Sequence, residues 1–275
     1  AAGNFMHYRP LVLLMLLWLS SQCTFAQEIP SQFSHDPWDG LLNRFVHLEN
    51  SGRASRVDYA ALKGERQELK AYLDRIATVT REDFDHWPLN EQLAFLINAY
   101  NAWTVELILS EYPGIDSIRD IGFLPGAPWR KNLVELFGEQ VSLDDVEHGM
   151  IRGWDRYQDP RIHFAVNCAA IGCPALSNEA YIGASLQTQL ERNISLFLED
   201  RSRNYLDGDR LMISPIFRWY GEDFERGWMG YDSVAEFLGV YADALGLSQA
   251  QAQRLINGDL GIRFSRYDWR LNSVD

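Results

Sequence analysis

The sequence predicts an α+β fold, a helical N-terminal part packed on a mainly antiparallel sheet. Three observations predict it. Helical periodicity dominates up to about residue 114, and strand–turn–strand patterns follow it. The helices and hairpins segregate instead of alternating as βαβ units. No Gly-x-Gly-x-x-Gly or P-loop pattern is present, which argues against a dinucleotide or NTP enzyme.

The first segment reads as an export signal. Met6 has the character of a natural start, and His7 and Arg9 supply a short basic region. Leu11 to Leu19 form an apolar run too short to span a bilayer. Thr24-Phe25-Ala26 then offers a cleavage site, so residues 1–26 are expected to be removed. Cys23 follows Gln22, which fits a lipoprotein site poorly. The expected location is the periplasm or the medium. Residues 27–275 hold no repeat, low-complexity tract or linker, so one domain is expected. That stretch carries 24 Lys+Arg against 38 Asp+Glu, a net −14. Such a surface argues against nucleic acid and against docking on anionic lipid. No integral membrane segment is expected after cleavage, and the oligomeric state is not indicated.

Asp36 is expected to cap a helix with Pro37 at its first position, running to about Glu49. Residues 57–59 suit a short strand. Leu62, Leu69, Tyr72, Leu73 and Ile76 then mark one face of a helix. Asn90 is expected to cap the most apolar helix, which ends near Pro113-Gly114. Residues 133–143 predict a hairpin turning at Gly138. Ser142 and Asp145 form a capping box that opens a short helix over 143–152. Residues 161–168 alternate as a strand. A helix is expected over 184–198. Asp207-Gly208 predicts a hairpin with a type I′ turn. Helices near 232–245 and 249–257 precede a final strand over 261–269.

The chemistry concentrates in RIHFAVNCAAIGCPAL, residues 161–176. As a strand it would carry Ile162, Phe164, Val166 and Cys168 on one face, and Arg161, His163, Ala165 and Asn167 on the other. Polar groups there need solvent or specific partners. The chain turns at Gly172, and Pro174 would place Cys173 at a helix N-cap. Backbone N–H groups there lower a thiol's pKa, so Cys173 is the candidate nucleophile. Cys168 and Cys173 are the two cysteines left after cleavage, and in an oxidising compartment they are equally a disulfide candidate. His148 and His163 are candidate bases, and Glu147 a candidate orienting carboxylate. Asn98 and Asn101 lie three apart on an apolar helix and need partners. Asp223, in WYGEDF with Trp219, Tyr220 and Phe224 packed in the core, is a helix cap or a site carboxylate. His-x4-Cys-x4-Cys lacks the tight spacing of a zinc site, so neither a metal nor another cofactor is indicated.

Six segments together resemble the DUF547 family. They are VDYAAL, EQLAFLINAYNAWT, SLDDVEHGMIR, DPRIHFAVNCAAIGCPAL, YIGASLQTQL and the W-Y-x-x-D-F element. The resemblance extends over most of the mature chain. It departs at Leu96-Ile97, where an aromatic is usual before Asn-Ala-Tyr-Asn. Some eukaryotic members join this region to DEP and glutaredoxin-like domains, which implies thiol or glutathione-linked biology.

Two readings follow. In one, Cys173 attacks a small peptide or thiol compound such as glutathione, in a papain-like or transglutaminase-like arrangement. His148 is then the base, and Glu147 or Asn98 orients it. In the other, Cys168 and Cys173 are a structural disulfide, and the polar strand face with Arg161, His163 and Asn167 holds a ligand or partner in a non-enzymatic protein. Asn98, Asn101, Arg161, Asn167 and Asp223 are the candidate substrate-binding residues.

Overall fold

The computed structural model describes residues 33–274. The segment expected to be an export signal, with Met6, the apolar run and Cys23, lies outside them. The fold is α+β, with short strands in three separate small sheets instead of one broad layer.

Helix α1 (Asp36–Phe45) starts one residue before the expected point: His35 holds the cap position, without a side-chain cap hydrogen bond, and Asp36 lies in the first turn with Pro37. It ends earlier than its pattern implied. Val46 is extended and opens strand β1 (Val46–Glu49), which pairs antiparallel with β2 (Ala54–Val57) in the register Val46↔Val57. A β-branched residue with a strand partner gains more as strand than as a last helical turn. Asp58 Oδ1 accepts from Ala61 N at 2.9 Å and starts α2 (Tyr59–Gly64). The stripe from Leu62 to Ile76 is split, because α2 stops at Gly64 and α3 (Arg66–Ala77) begins anew. All five stripe residues are buried. A short α4 (Arg81–Asp85) leads into α5 (Leu89–Glu111).

Helix α5 is the centre of the molecule. Every residue from Gln92 to Ala102 is buried, so it is covered all round. It is long and apolar enough to cross a membrane, yet 89% of its apolar window is enclosed by other elements. Pro88, not Asn90, precedes it, and Asn90 lies in the first turn. Leu96 and Ile97 are fully buried, so the departure from the usual aromatic is absorbed by packing.

Strands β3 (Val134–Leu136) and β4 (Glu139–Val141) form the predicted hairpin around Gly138. The Ser142–Asp145 capping box is present: Ser142 N and Oγ donate to Asp145 Oδ2 at 2.8 and 2.6 Å. Asp145 N donates to Ser142 Oγ at 3.1 Å. The turns behind it, Asp145–Ile151, are π-helical, and Arg152 N reaches Glu147 O. π-turns of this kind concentrate at functional sites.

Residues 161–168 are not a strand. Pro160–Phe164 form a 3₁₀ helix capped by Asp159, whose Oδ1 accepts from Arg161 N at 2.9 Å, and an irregular segment follows. The alternation misled because no face meets water: Arg161, His163, Phe164 and Asn167 are all buried. No helix follows Pro174 either, so Cys173 has no N-cap position. Gly172 is where two backbones touch. Its N donates to Asp268 O at 2.8 Å, and a Cβ would lie 2.9 Å from Asp268 N.

Helix α6 (Leu186–Glu199) packs against the 3₁₀ turn and α5. Strands β5 (Tyr205–Asp207) and β6 (Arg210–Ile213) pair antiparallel, Asp207↔Arg210. The two loop residues are therefore Gly208 and Asp209. Positive φ falls on Gly208 alone of the two (56°), which makes the turn II′-like, not I′. Helices α7 (Ile216–Trp219) and α8 (Gly221–Glu225) carry the WYGEDF element. Trp219 is exposed, contrary to its expected core position, while Phe224 is buried. Helices α9 (Val234–Val240) and α10 (Gln249–Ile256) follow. Strand β7 (Gly261–Phe264) pairs parallel with β6, the one parallel pair among the described strands. The tail then bridges back, Ala170↔Leu271 and Val57↔Ser273.

Two apolar clusters result. One gathers α1 to α5, the 134–151 region and the start of α6 (Leu186, Leu190), the other the end of α6, α7 to α10 and β6. Residues of both line the cavity described next.

Candidate catalytic site

A cavity of about 220 Å³ opens between the central helix, the π-helical turn, the 168–173 loop, α7 and the C-terminal tail. Its walls are largely aromatic: Tyr100, Trp129, Trp219, Tyr220, Tyr267 and Trp269. Its polar lining comes from Asp144, Glu147, His148 and His163, and its sulfur from Cys168 and Cys173.

The two cysteines are joined, S–S 2.08 Å. Cys173 is buried and Cys168 half-buried. Cys168 N donates to Cys173 Sγ at 3.0 Å, and Tyr267 Oη donates to the same sulfur at 3.2 Å while lying 3.1 Å from Cys168 Sγ. The Arg203 guanidinium, paired with Asp200 at 2.8 Å, donates to the carbonyls of Gly172 and Cys173 and holds the loop from behind. In this disulfide state neither sulfur is a nucleophile.

His163 sits at the end of the 3₁₀ turn, fully enclosed. Its Nε2 lies 2.7 Å from Asp223 Oδ2, and its ring stacks on Tyr220 with centroids 3.9 Å apart. Asp223 also accepts Arg152 Nε and Nη2 at 2.5 and 3.0 Å, and Arg226 at 2.8 Å. Burial pushes the Asp223 carboxyl up, but the hydrogen bonds from His163 and Arg152 outweigh it and hold it well below the usual range. The carboxylate therefore only accepts, and His163 donates from Nε2. Burial lowers the His163 pKa against the pull of Asp223, so the ring is neutral at pH 7. Its Nδ1 is then an acceptor, and it has no partner among the described residues.

Glu147 is buried within the π-helical turn, against the phenols of Tyr100 and Tyr220. Burial first, then the charge of Glu147 and side-chain hydrogen bonding to it, raise both phenols, so the Tyr100 and Tyr220 hydroxyls serve this carboxyl from one side. Glu147 Oε1 has no hydrogen-bond partner. His148 lies at the rim, exposed, its Nδ1 2.7 Å from Arg152 Nη1 and its Nε2 3.7 Å from Asp144. Glu147 and His148 thus line the same cavity without forming a dyad; the pairing is His163 with Asp223.

The remaining sequence candidates have their polar atoms engaged inside the fold. Asn98 donates to Tyr181 O at 2.7 Å and accepts from Tyr181 N at 3.0 Å. Asn101 donates to Ala165 O and accepts from Asn167 N, both at 2.9 Å. Asn167 accepts from Ala169 N and donates to Pro174 O, both at 2.8 Å, and so ties together the loop that carries the cysteines. Arg161 pairs with Asp159 at 2.7 Å and Glu191 at 3.0 Å. Sequence reasoning missed Trp129, Tyr267, Trp269, Arg152 and Arg203. For Tyr267 and Trp269 a signal existed, since side chains two apart on an extended tail share a face. For Trp129, in a loop, none did.

A larger cleft, about 1170 Å³, shares Tyr267 and Trp269 with this cavity. Most of its arginines face a carboxylate, as in Arg56–Glu49 and Arg270–Asp268. The smaller cavity is the stronger candidate, because it combines sulfur, an oriented imidazole and buried acceptors that lack partners.

Residues 84–198 match the family model DUF547, described as a protein of unknown function. That stretch includes Glu147, His148, His163 and both cysteines, and it excludes Asp223, Tyr267 and Trp269. No curated protein and no solved structure matches the chain.

Proposed function

We propose that this chain, whose residues 84–198 belong to the DUF547 family, is a cysteine-dependent hydrolase or transferase acting on a small peptide or thiol compound. It works in the periplasm or outside the cell. An intact disulfide fits such an oxidising compartment. The observation that carries the reading is His163: one ring nitrogen is fixed by a buried carboxylate, the other lacks a partner, and the ring lines the cavity that holds both sulfurs. A nucleophile, a base and a group orienting the base are the parts such chemistry needs.

The chemistry begins with reduction by a small thiol. Its thiolate attacks the more accessible Cys168 sulfur, and Cys173 leaves as a thiolate. A second thiol displaces the mixed disulfide and leaves with the first as their own disulfide. Two donors already reach the Cys173 sulfur, the Cys168 N–H and the Tyr267 O–H, and both favour the anion. His163 takes the proton of Cys173 when it is a thiol. The thiolate attacks the substrate's carbonyl carbon, and the electron pair of the carbonyl moves to oxygen. Collapse expels the leaving amine or thiol, which takes the proton from His163. Water, or a second nucleophile, deprotonated by His163, then releases the acyl group. His163 is the base in this scheme, and His148 stays at the rim.

Iodoacetamide labelling of the reduced protein against pH tests this reading. Cys173 is expected to react with an apparent pKa below the roughly 8.5 of a free thiol, and His163→Ala to raise it. Labelling no faster than a model thiol at neutral pH removes the nucleophile. The second reading, a binding protein stapled by Cys168–Cys173, is favoured by the disulfide itself. It gains if reduction changes neither ligand binding nor labelling beyond that of ordinary thiols.

A further inference from the structure

We infer that the aromatic cavity recognises a free ammonium group on its ligand, with Glu147 as the anionic anchor. This deepens the thiol-enzyme reading and rests on it for the ligand's role as substrate, but the recognition needs no thiol.

Two buried side chains line the cavity with an atom that lacks a partner among the described residues: Glu147, 4% exposed, with Oε1, and His163, 2% exposed, with Nδ1. Both atoms are acceptors, Oε1 as part of a carboxylate and Nδ1 because Nε2 carries the proton to Asp223. A buried acceptor without a donor is costly, so the complement of this cavity is a donor-rich group. Its charge has the same sense. The carboxylates of Glu147 and Asp144 line it. The nearby guanidinium of Arg152 is committed to Asp223 and His148 and is not part of the lining.

The walls select among donors. Trp129, Trp269, Tyr220 and Tyr267 line the space; Tyr220 already stacks on His163 and carries Arg152 5.2 Å from its ring, and Trp219 stacks on Trp269 with centroids 5.7 Å apart. Aromatic faces attract a cation, Trp most strongly, and a carboxylate at the base of such a set supplies the charge-assisted hydrogen bond. An ammonium satisfies this: an N–H donor for Glu147 Oε1, positive charge for the carboxylates, and methylene or methyl groups for the rings, while His163 Nδ1 is left to the thiol. A volume of about 220 Å³ suits an amino-terminal residue or an amine of modest size, not an extended peptide. The ligand class is therefore a small molecule or peptide with a free amino group, held beside the disulfide.

Titration calorimetry of the oxidised protein with n-pentylamine and n-pentanol at pH 7 tests this. The amine is expected to bind saturably, and the alcohol, which has the same shape but no charge, about tenfold or more weakly. Glu147→Gln is expected to weaken amine binding by at least about tenfold and to close most of the gap between amine and alcohol. Equal binding of amine and alcohol, no binding of the amine, or an unaltered E147Q overturns the inference. If E147Q does not fold, the amine–alcohol comparison on the native chain decides. Because the oxidised protein has no free thiol in the cavity, the two claims separate. Amine binding without labelling of the reduced thiol sinks only the enzyme reading, and labelling without amine binding sinks only this one.

Discussion

Burial makes His163 and His35 neutral partners in the fold, and that has a measurable consequence. His35 donates or accepts at 2.7 Å with Tyr72 Oη, and burial, helped by Arg75, lowers its pKa to about 3. His163 is lowered in the same direction by burial, against the pull of Asp223. In the unfolded chain both titrate near 6.5. Below that value the unfolded state binds protons that the folded state refuses. Stability is therefore full above about pH 6.5 and falls as the pH drops through it, by up to about 1.4 kcal/mol per pH unit for each histidine. Urea unfolding between pH 7 and 5 is expected to show this loss, with a shallower slope in His35→Gln, which cannot titrate. An identical slope in that variant contradicts the assignment. Asp223 acts in the opposite range. Its depressed pKa gives a contribution complete above the unfolded carboxylate value of about 3.9 and lost as the pH falls further.

At the scale of elements, α5 holds the site's supports more than its chemistry. Asn98 pairs with the backbone of Tyr181 in both directions, and Asn101 does the same for Ala165 and Asn167. Two amides on a helix buried all round thus replace backbone hydrogen bonds that the irregular 165–182 stretch cannot make for itself. Asn98→Ala removes one such pair and leaves buried groups of Tyr181 without partners. It is expected to destabilise the fold by about 1–3 kcal/mol while leaving the labelling pKa of the reduced Cys173 unchanged. A shifted pKa with no loss of stability places Asn98 in the chemistry instead. These elements also show what a sequence can reveal. The α5 helix, the 134–141 hairpin and the Ser142–Asp145 box were legible, since local periodicity and capping chemistry decide them. The strand expected over 161–168 was not, because burial on every side erases the contrast between faces that alternation reports. The end of α1 was set by a partner, Val57, that no local pattern names.

Across the whole molecule, the site is assembled from segments far apart in the chain. The π-helical turn supplies Glu147, the 3₁₀ turn His163, the loop Cys168 and Cys173, α8 Asp223, and the tail Tyr267 and Trp269. The candidate residue types were legible as unusual polar groups in an apolar stretch, yet their pairing was not. His163 meets Asp223, sixty positions on, and His148 turns to Arg152 at the rim. Only tertiary contacts fix which histidine has its orienting carboxylate. The tail completes the arrangement: Gly172 and Ile171 bond to Asp268 and Arg270, which brings Tyr267 over both sulfurs.

The central claim is that Cys173, once reduced, is a nucleophile served by His163. Covalent trapping tests it most directly: the reduced protein is incubated with a small peptide thioester bearing a free amino terminus, quenched in acid, and its intact mass and peptide map are read. The account predicts one acyl adduct on Cys173, absent in the oxidised protein and strongly diminished in His163→Ala. No adduct on the reduced protein, or equal labelling of Cys168 and Cys173 that His163→Ala leaves unchanged, contradicts it.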